Sequence, residues 1–337
     1  MNKTTLDTRR KLIKVAGAAG AVSVFGAPTI LKAAPTKITL GHGAAPGNPR
    51  TVAASKFAEI VKAKTNGALE VTVAGSAQLG DDQAMITSLR TGTLDMSANS
   101  QGTTSAVVPE LAALGLPFMF KDNNAAIKVL GGKIGDLLKP KYDAVGLVCL
   151  GYWDNGIRHI TNSKRALNSP ADLKGLKFRT PPDPSTIDIF QALGAATTQI
   201  AFAELYVALQ QGVVDGQENP LVNIHSAKLF EVNKFISLSA HKWESTPVLM
   251  SKMAWGRLSS QHKEVVMAAM AEATTLQLKL SNEGAEKLLA EFKANSKVAV
   301  NQVDTAAFQK ATAGVFDKWA QKPFGDFVKQ LRTTVLG

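Results

Sequence analysis

The chain has 337 residues, 45 % of them hydrophobic, and a formal net charge of +11. That length and apolar content can bury a large core and predict two domains of ordinary size. The basic excess does not point to nucleic acid: the first 34 residues hold six basic side chains against one acid, a local excess of five that leaves +6 for the remainder, and no Lys/Arg stripe interleaves with aromatics.

"TRRKLIK" (Thr8 to Lys14) places paired arginines before the small-residue apolar stretch "VAGAAGAVSVFGAPTIL". This resembles a twin-arginine or general secretory signal, with cleavage expected near Ala33 or Ala34, so residues 1–34 are predicted to be an export segment and the destination periplasmic. An uncleaved anchor is the alternative. "KITLG" reads as a strand, and the following helix carries Val52, Phe57, Ile60 and Val61 on one face before Gly67 ends it. "LEVTVA" completes a βαβ unit of a mostly parallel sheet. Asp81 and Asp82 open a second helix with Met85, Ile86 and Leu89 inward and Gly92 as its stop, and "LDMSAN" follows as a strand.

The same construction recurs: "LRTGTLDMSAN" (Leu89 to Asn99) aligns without gaps on "LQQGVVDGQEN" (Leu209 to Asn219), 120 residues later. The repeat predicts two similar α/β lobes. Ligands of open α/β sheets bind beyond the carboxyl ends of strands, so Asn99 and Asn219 are expected to face one another across a cleft. "AVGLVCLGYW" and "FISLSA" are candidate core or crossover strands, and "RHITN" and "LKFRTP" shorter ones. Val265, Val266, Ala269, Met270, Ala273, Leu276 and Leu280 mark a long amphipathic helix from Ser260 to about Ala294, and a last helix is expected over roughly Thr305 to Leu331.

Catalytic signatures are weak. "GHGAAP" (Gly41 to Pro46) approaches a dinucleotide fingerprint, but Pro46 stands where the third glycine is needed. The five histidines form no i,i+4 metal pair, Ser76 lacks the flanks of a nucleophile elbow, and the only cysteine, Cys149, lies in an apolar run. Cys149 reads as a small buried hydrophobe, with a catalytic thiol as the alternative. No cofactor or metal is expected. What the chain does offer is Arg158 in "NGIRHITN" and Arg179 in "GLKFRTP", each in an apolar-flanked segment where a guanidinium can grip a carboxylate with two prongs. A structural salt bridge is the alternative for either one alone.

"GIRHITNSKRALNSPADLKGLKFRTP" and "FAELYVALQQGVVDGQENP", with "GSAQLGDD" and "ALGLPFMF", resemble the DctP-type substrate-binding proteins of tripartite ATP-independent periplasmic (TRAP) transporters, over Ile38 to about Trp319. The resemblance implies a two-lobed periplasmic-binding-protein-like α/β fold with crossing strands and a long hinge-spanning helix. The lobes would comprise residues 35–155 with 244–283, and 156–243 with 284–337. It implies a non-catalytic protein that closes over an organic-acid anion and delivers it to TRAP membrane subunits. Arg179 matches the family's carboxylate-binding arginine, Asn219 the asparagine on the same group, Arg158 a second pocket arginine, and Phe202 an aromatic beside the ligand. Ser100 and Gly43 stand where sialic-acid-binding members carry other residues, which argues against that ligand. His42, Asn99, Trp153, Asp154 and Trp243 are the expected specificity residues, with core packing as the alternative for Trp243, and suit a uronate or aldonate, although a simple keto or hydroxy acid stays open. Asp215, Gln217 and Glu218 are expected mainly to brace the turn before Pro220. The competing reading is an exported α/β enzyme acting on an acidic metabolite, with Asp82, Asp154 or Glu218 as its acid or base.

Overall fold

The computed structural model describes residues 34–337, so the expected export segment lies outside the described residues apart from Ala34. The chain first forms β1 (Thr36–His42), α1 (Pro49–Lys64), β2 (Leu69–Ala74), α2 (Asp82–Thr91) and β3 (Met96–Ala98). β1 pairs in parallel with both β2 and β3. The short helix α3 (Gln101–Thr104), α4 (Asn123–Leu130) and α5 (Lys133–Ala144) then lead to β4 (Leu147–Asn162). A second set follows: β5 (Lys177–Thr180), α6 (Pro184–Ala192), β6 (Ala196–Gln199), α7 (Leu205–Gln210) and β7 (Gly216–Asn219). Here β5 pairs in parallel with β6 and β7, repeating the arrangement of β1 with β2 and β3.

The aligned segments therefore occupy equivalent places. In each, a helix runs into a glycine at positive φ, Gly92 at 77° and Gly212 at 69°, and a short strand begins a few residues later. A left-handed backbone at the end of a helix is adopted by glycine without the steric cost a Cβ would bring.

The rest of the chain comprises α8 (Leu221–Ser226), β8 (Phe235–Ser251), α9 (Lys252–Gly256), α10 (Ser260–Ala294), β9 (Ala299–Gln302), α11 (Thr305–Ala320) and α12 (Gly325–Leu336). The strands form one sheet in the order β2-β1-β3-β8-β4-β7-β5-β6, with β9 pairing β8. β3 is antiparallel to β8 and β7 antiparallel to β4, while β4 and β8 run antiparallel to each other from one set to the other. The segments "AVGLVCLGYW" and "RHITN", expected as separate strands, are one 16-residue strand that passes through shifts of register at Cys149/Gly151, Asp154/Gly156 and Arg158/Ile160. β8 likewise continues 17 residues, well past "FISLSA". Pairing with one another satisfies the backbone of both strands through polar stretches that local alternation reads as interruptions.

Four apolar clusters surround this sheet. Phe57, Ile38, Leu69 and Met96 pack with Val266, Ala269, Met270 and Ala273 from the first half of α10. Leu209, Ile224 and Ile236 pack with Leu288 and Phe292 near its end. α10 thus spans both sets, and between its two apolar stretches it buries the polar Gln277 and Ser281. The expected final helix divides into α11 and α12 around Pro323, whose ring removes a helix N–H. Phe308 of α11 packs with Phe178 and Phe190 of the second set, whereas Val328 and Leu331 of α12 pack with Leu111, Leu130 and Leu138. Through these residues the two C-terminal helices pack on different apolar clusters. Cys149 packs against this latter cluster.

Candidate functional site

The carboxyl ends of β1, β3, β5 and β7 converge on one cleft, as expected for a parallel α/β sheet. A cavity of about 210 Å³ opens there, lined by Asp82, Ser100, Thr103, Arg179, Gln199 and Phe202 among others. A smaller inner cavity of about 50 Å³ adjoins it and shares Gly43, Asp82, Ser100, Arg179, Pro181 and Phe202; it adds Arg50, Asn155, Arg158, Asn219, Asn223 and Glu244.

Arg179 is held by β5, whose neighbours β6 and β7 flank it. Its Nε donates to the Ile200 carbonyl at 2.8 Å, and only 2 % of the residue is exposed. Among the described residues no carboxylate lies within ion-pair distance of it. Burial lowers its pKa to about 10, with Glu218 acting in the opposite direction, so it stays cationic at neutral pH. A buried cation without a counter-charge costs several kcal/mol, and the cavity in front of it is where an anion would relieve that cost.

Arg158 behaves differently. Its Nε and Nη2 both donate to the Glu218 carboxylate, its Nη1 to Glu244 Oε2 at 2.6 Å, and its Nη2 also to Asn219 Oδ1 at 3.2 Å. Burial disfavours its charge, but Glu218 and Glu244 outweigh that and raise its pKa. Burial likewise works against ionising Glu218, yet Arg158 beside it, helped by His241, holds its carboxyl well below the usual range. Arg158 therefore lines the inner cavity with its donors already engaged, and what it does directly is fix the "QEN" segment. Asp215 accepts from Lys177 N–H at 2.9 Å and Gln217 donates to Thr161 Oγ1 at 2.7 Å, so all three polar neighbours brace the turn. Asn219 donates to Gln217 and accepts from Asn223 Nδ2 at 3.2 Å. Phe202 begins a single 3-10 turn, Phe202–Glu204, and lines both cavities.

The expected specificity residues fare unevenly. Asn99 does not line the cleft opposite Asn219: its Nδ2 donates to the Asp82 carbonyl at 3.0 Å, and its neighbour Ser100 faces the cavity instead. His42 is fully buried behind the loop, its Nδ1 accepting from Ala44 N–H at 3.2 Å. Burial and then the charge of Arg50 lower its pKa to about 4, so it is neutral at pH 7. Trp153, Asp154 and Trp243 lie between the crossing strands and the packed helices, away from both cavities. Trp153 Nε1 donates to Thr274 Oγ1 at 3.1 Å, Trp243 Nε1 to Asp154 Oδ1 at 2.6 Å, and Ser281 Oγ to Asp154 Oδ2. Gln277 closes the arrangement by bonding both the N–H and the carbonyl of Asp154 at 2.8 and 2.7 Å. Trp153 and Asp154 fasten α10 to β4, and Trp243 ties β8 to the same Asp154. Trp153, Asp154 and Trp243 thus line neither cavity, and for Trp243 the core-packing alternative describes its surroundings.

Two groups at the cleft were not anticipated. Arg50, in the first turn of α1, is buried and donates from Nη2 to Thr246 Oγ1 at 2.7 Å. Its signal was present: the buried stripe Ala53, Ala54, Phe57, Ile60, Val61 extends back by helical spacing onto residue 50, and Val52, assigned to that face, is 41 % exposed. Asn48, which caps α1 through the Arg50 N–H at 3.0 Å, also donates to Asn223 Oδ1 at 2.8 Å, and Asn223 in turn donates to Asn155 Oδ1 at 3.0 Å. This amide chain joins the first βαβ set to α8 at the edge of the inner cavity.

The profile of the family described as bacterial extracellular solute-binding protein, family 7 (DctP), matches residues 40–322. The chain belongs to this family. Relatives of DctP type include the 2,3-diketo-L-gulonate-binding periplasmic protein of Escherichia coli, 35 % identical over 274 residues, which cover 81 % of this chain and 84 % of that protein. The sugar acid binding protein of Advenella mimigardefordensis, solved with galactonate, superposes with a TM-score of 0.87 at 32 % identity and covers 90 % of this chain and 98 % of its own. A TRAP periplasmic solute-binding protein of Polaromonas, bound to D-erythronate, gives a TM-score of 0.84 at 35 % identity, with 88 % and 98 % covered. The chain spans 57 % of the length of a Sinorhizobium fredii protein of uncharacterised role, to which it is 59 % identical over 315 residues. The resemblance read from "DGQENP" and its neighbours thus names the family correctly, and membership makes the chain a TRAP-type solute-binding protein, from a family that binds solutes and does not catalyse.

Proposed function

We propose that this protein captures a small hydroxylated monocarboxylate, of the aldonate or uronate class, in the periplasm and delivers it to the membrane subunits of a TRAP transporter. The observation that carries this reading is Arg179: a buried guanidinium that faces a cavity and has no carboxylate partner among the described residues. The cavity supports the size class, being smaller than the roughly 300–1,000 Å³ typical of drug-sized ligands. Ser100, Thr103, Gln199, Asn155 and Asn223 around it suit a ligand rich in hydroxyl groups. Glu218 is locked to Arg158 and Asp154 lies outside the cavity, which leaves only Asp82 of the candidate acids and bases at the cleft, so the enzyme reading has little to stand on.

The two lobes are taken as residues 35–155 with 244–283, and 156–243 with 284–337. The proposed division is supported by the pairing of Gly156 with Glu244 beside the register shift at Asp154/Gly156, a place where β4 can flex. α12 is better assigned to the first lobe, with which it packs. Export would rest on the signal segment ahead of Ala34. The deciding experiment is calorimetric titration of the purified protein and of Arg179→Ala with galactonate, D-glucuronate, D-erythronate and succinate. The wild type should bind at least one sugar acid, and the variant should lose roughly thirtyfold or more in affinity, as when one partner of a buried charge pair is cut away. Full affinity in the variant would end the carboxylate assignment to Arg179.

A further inference from the structure

We infer that Arg50 is a specificity-determining residue, which reads a neutral oxygen of the ligand, a hydroxyl or carbonyl, and so selects oxygenated monoacids over dicarboxylates and plain fatty acids. This inference rests on the carboxylate reading of Arg179 and deepens it.

Arg50 has five N–H donors, and the one side-chain hydrogen bond it makes among the described residues is to Thr246 Oγ1. No carboxylate lies within 4 Å of it among those residues. It is 8 % exposed and stands in the first turn of α1, where the positive end of the helix disfavours a cation. Burial lowers its pKa, and the more distant charges of Asp82 and Glu244 offset this only in part, whereas Arg158 nearby is ion-paired to Glu218 and Glu244. Arg50 also lines the inner cavity together with Arg179, from the opposite βαβ set. Its unused donors are therefore available to a ligand that Arg179 holds by its carboxylate.

The neighbouring charges decide what kind of acceptor fits. Three arginines (Arg50, Arg158, Arg179) and three acids (Asp82, Glu218, Glu244) surround the inner cavity, so they balance formally and one ligand carboxylate makes the site −1. A second carboxylate would add another negative charge beside Asp82 and Glu244 in a desolvated space, where like charges repel strongly. A hydroxyl avoids this. It accepts from Arg50, and its hydrogen can go to Asp82, whose Oδ2 takes Ser100 N–H at 2.8 Å while Oδ1 lies toward Gly43. A bare methylene would leave the Arg50 donors not taken by Thr246 buried without an acceptor, which penalises unsubstituted acids.

The test uses three four-carbon acids, D-erythronate, butyrate and succinate, titrated calorimetrically into wild type, Arg50→Met, Arg50→Lys and Arg179→Ala, with melting curves to verify folding. Arg50→Met, which keeps the apolar stem and removes the donors, should lose about ten- to a hundredfold in erythronate affinity, the range for a hydrogen bond to a charged group. Its preference for erythronate over butyrate should shrink by a similar factor, and Arg50→Lys should recover part of both. The inference is overturned if Arg50→Met binds erythronate within twofold of wild type, or if erythronate and butyrate weaken equally, which would make Arg50 a general source of positive potential. Should Arg50→Met fail to fold, the same comparison is made with Arg50→Lys, where an unchanged preference overturns it. A wild type that prefers succinate also overturns it. Loss of every acid in Arg179→Ala, with selective loss in Arg50→Met, separates the two arginines; if Arg179→Ala keeps its affinity, the underlying carboxylate reading is what has failed.

Discussion

Replacing Glu218 by Gln tests whether the polar centre beside the cleft is a charge network or merely a set of hydrogen bonds. Glu218 is fully buried and meets Arg158 through two of its nitrogens, with His241 Nε2 a further 3.4 Å contact. The substitution keeps shape but leaves Arg158 with Glu244 alone. Breaking a buried pair by neutralising one member costs about 3–5 kcal/mol. For roughly 300 residues the unfolding entropy makes each kcal/mol worth about 1.6 °C, so the melting temperature should fall by about 5–8 °C. The pH dependence supplies a sharper signature. Because Glu218 titrates lower when folded than when unfolded, its contribution is fully present above the ordinary glutamate pKa of about 4.3 and is lost as pH falls toward the folded value. Urea unfolding at pH 7 and pH 5 should show the same deficit for Glu218→Gln, and below about pH 4 the deficit should shrink as the wild type loses its own advantage. A variant within about 1 kcal/mol of wild type at pH 7, or a deficit that is constant down to pH 3, would refute the charge-network account.

Two further outcomes are expected. Burial raises the pKa of Asp154 to about 6, so its stabilising contribution is present below about pH 4 and lost as pH rises through 6; urea unfolding of Asp154→Asn relative to wild type should therefore improve over that window, by roughly 2–3 kcal/mol at most, and a difference independent of pH would contradict it. Asn223→Ala removes the amide bonded to Asn48, Asn155 and Asn219, and should speed dissociation of a bound sugar acid by roughly three- to tenfold with a smaller effect on association; stopped-flow rates unchanged within error would show that these cross-cleft bonds do not hold the site shut.

The elements most legible in the sequence are those with local chemistry. α2 opens at Asp81, whose side chain accepts from Ala84 N–H, and stops at Gly92, both set by residues a few positions apart, and the repeat at an offset of 120 discloses the second set because its glycine and strand recur in register. Arg179 and Asn219 are legible for a related reason: they stand next to, and at, the carboxyl ends of short strands. What escaped notice depends on long-range pairing. The full lengths of β4 and β8 are sustained by each other, and no local alternation reports that. Trp153, Asp154 and Trp243 are expected at the ligand, yet Trp153 and Asp154 find their partners Thr274, Gln277 and Ser281 more than a hundred residues away on α10, and Trp243 finds Asp154 on β4, 89 residues away. Arg50 is the converse case, a charged residue at a core position of a helical stripe whose meaning depends on the cavity that the fold places before it.

The division of labour among the three arginines bears on how binding becomes a signal. Arg158 is neutralised by the protein, so its cost is met whether or not the lobes approach. Arg179 and Arg50 come from opposite βαβ sets and are desolvated when those sets lie together, with no protein carboxylate in ion-pair contact, so that the more distant Asp82, Glu218 and Glu244 offset the loss only in part. Approach of the lobes then carries an electrostatic penalty that an acid can cancel and water in a narrow cavity cancels less well. The ligand favours the approached arrangement by its differential affinity for it, which is the condition for a binding protein to report occupancy to a membrane partner. On this logic, neutralising either arginine weakens binding and also eases closure without ligand, so Arg179→Ala should be more compact in ligand-free solution scattering than the wild type, and an unchanged radius of gyration would show that the guanidinium does not oppose closure.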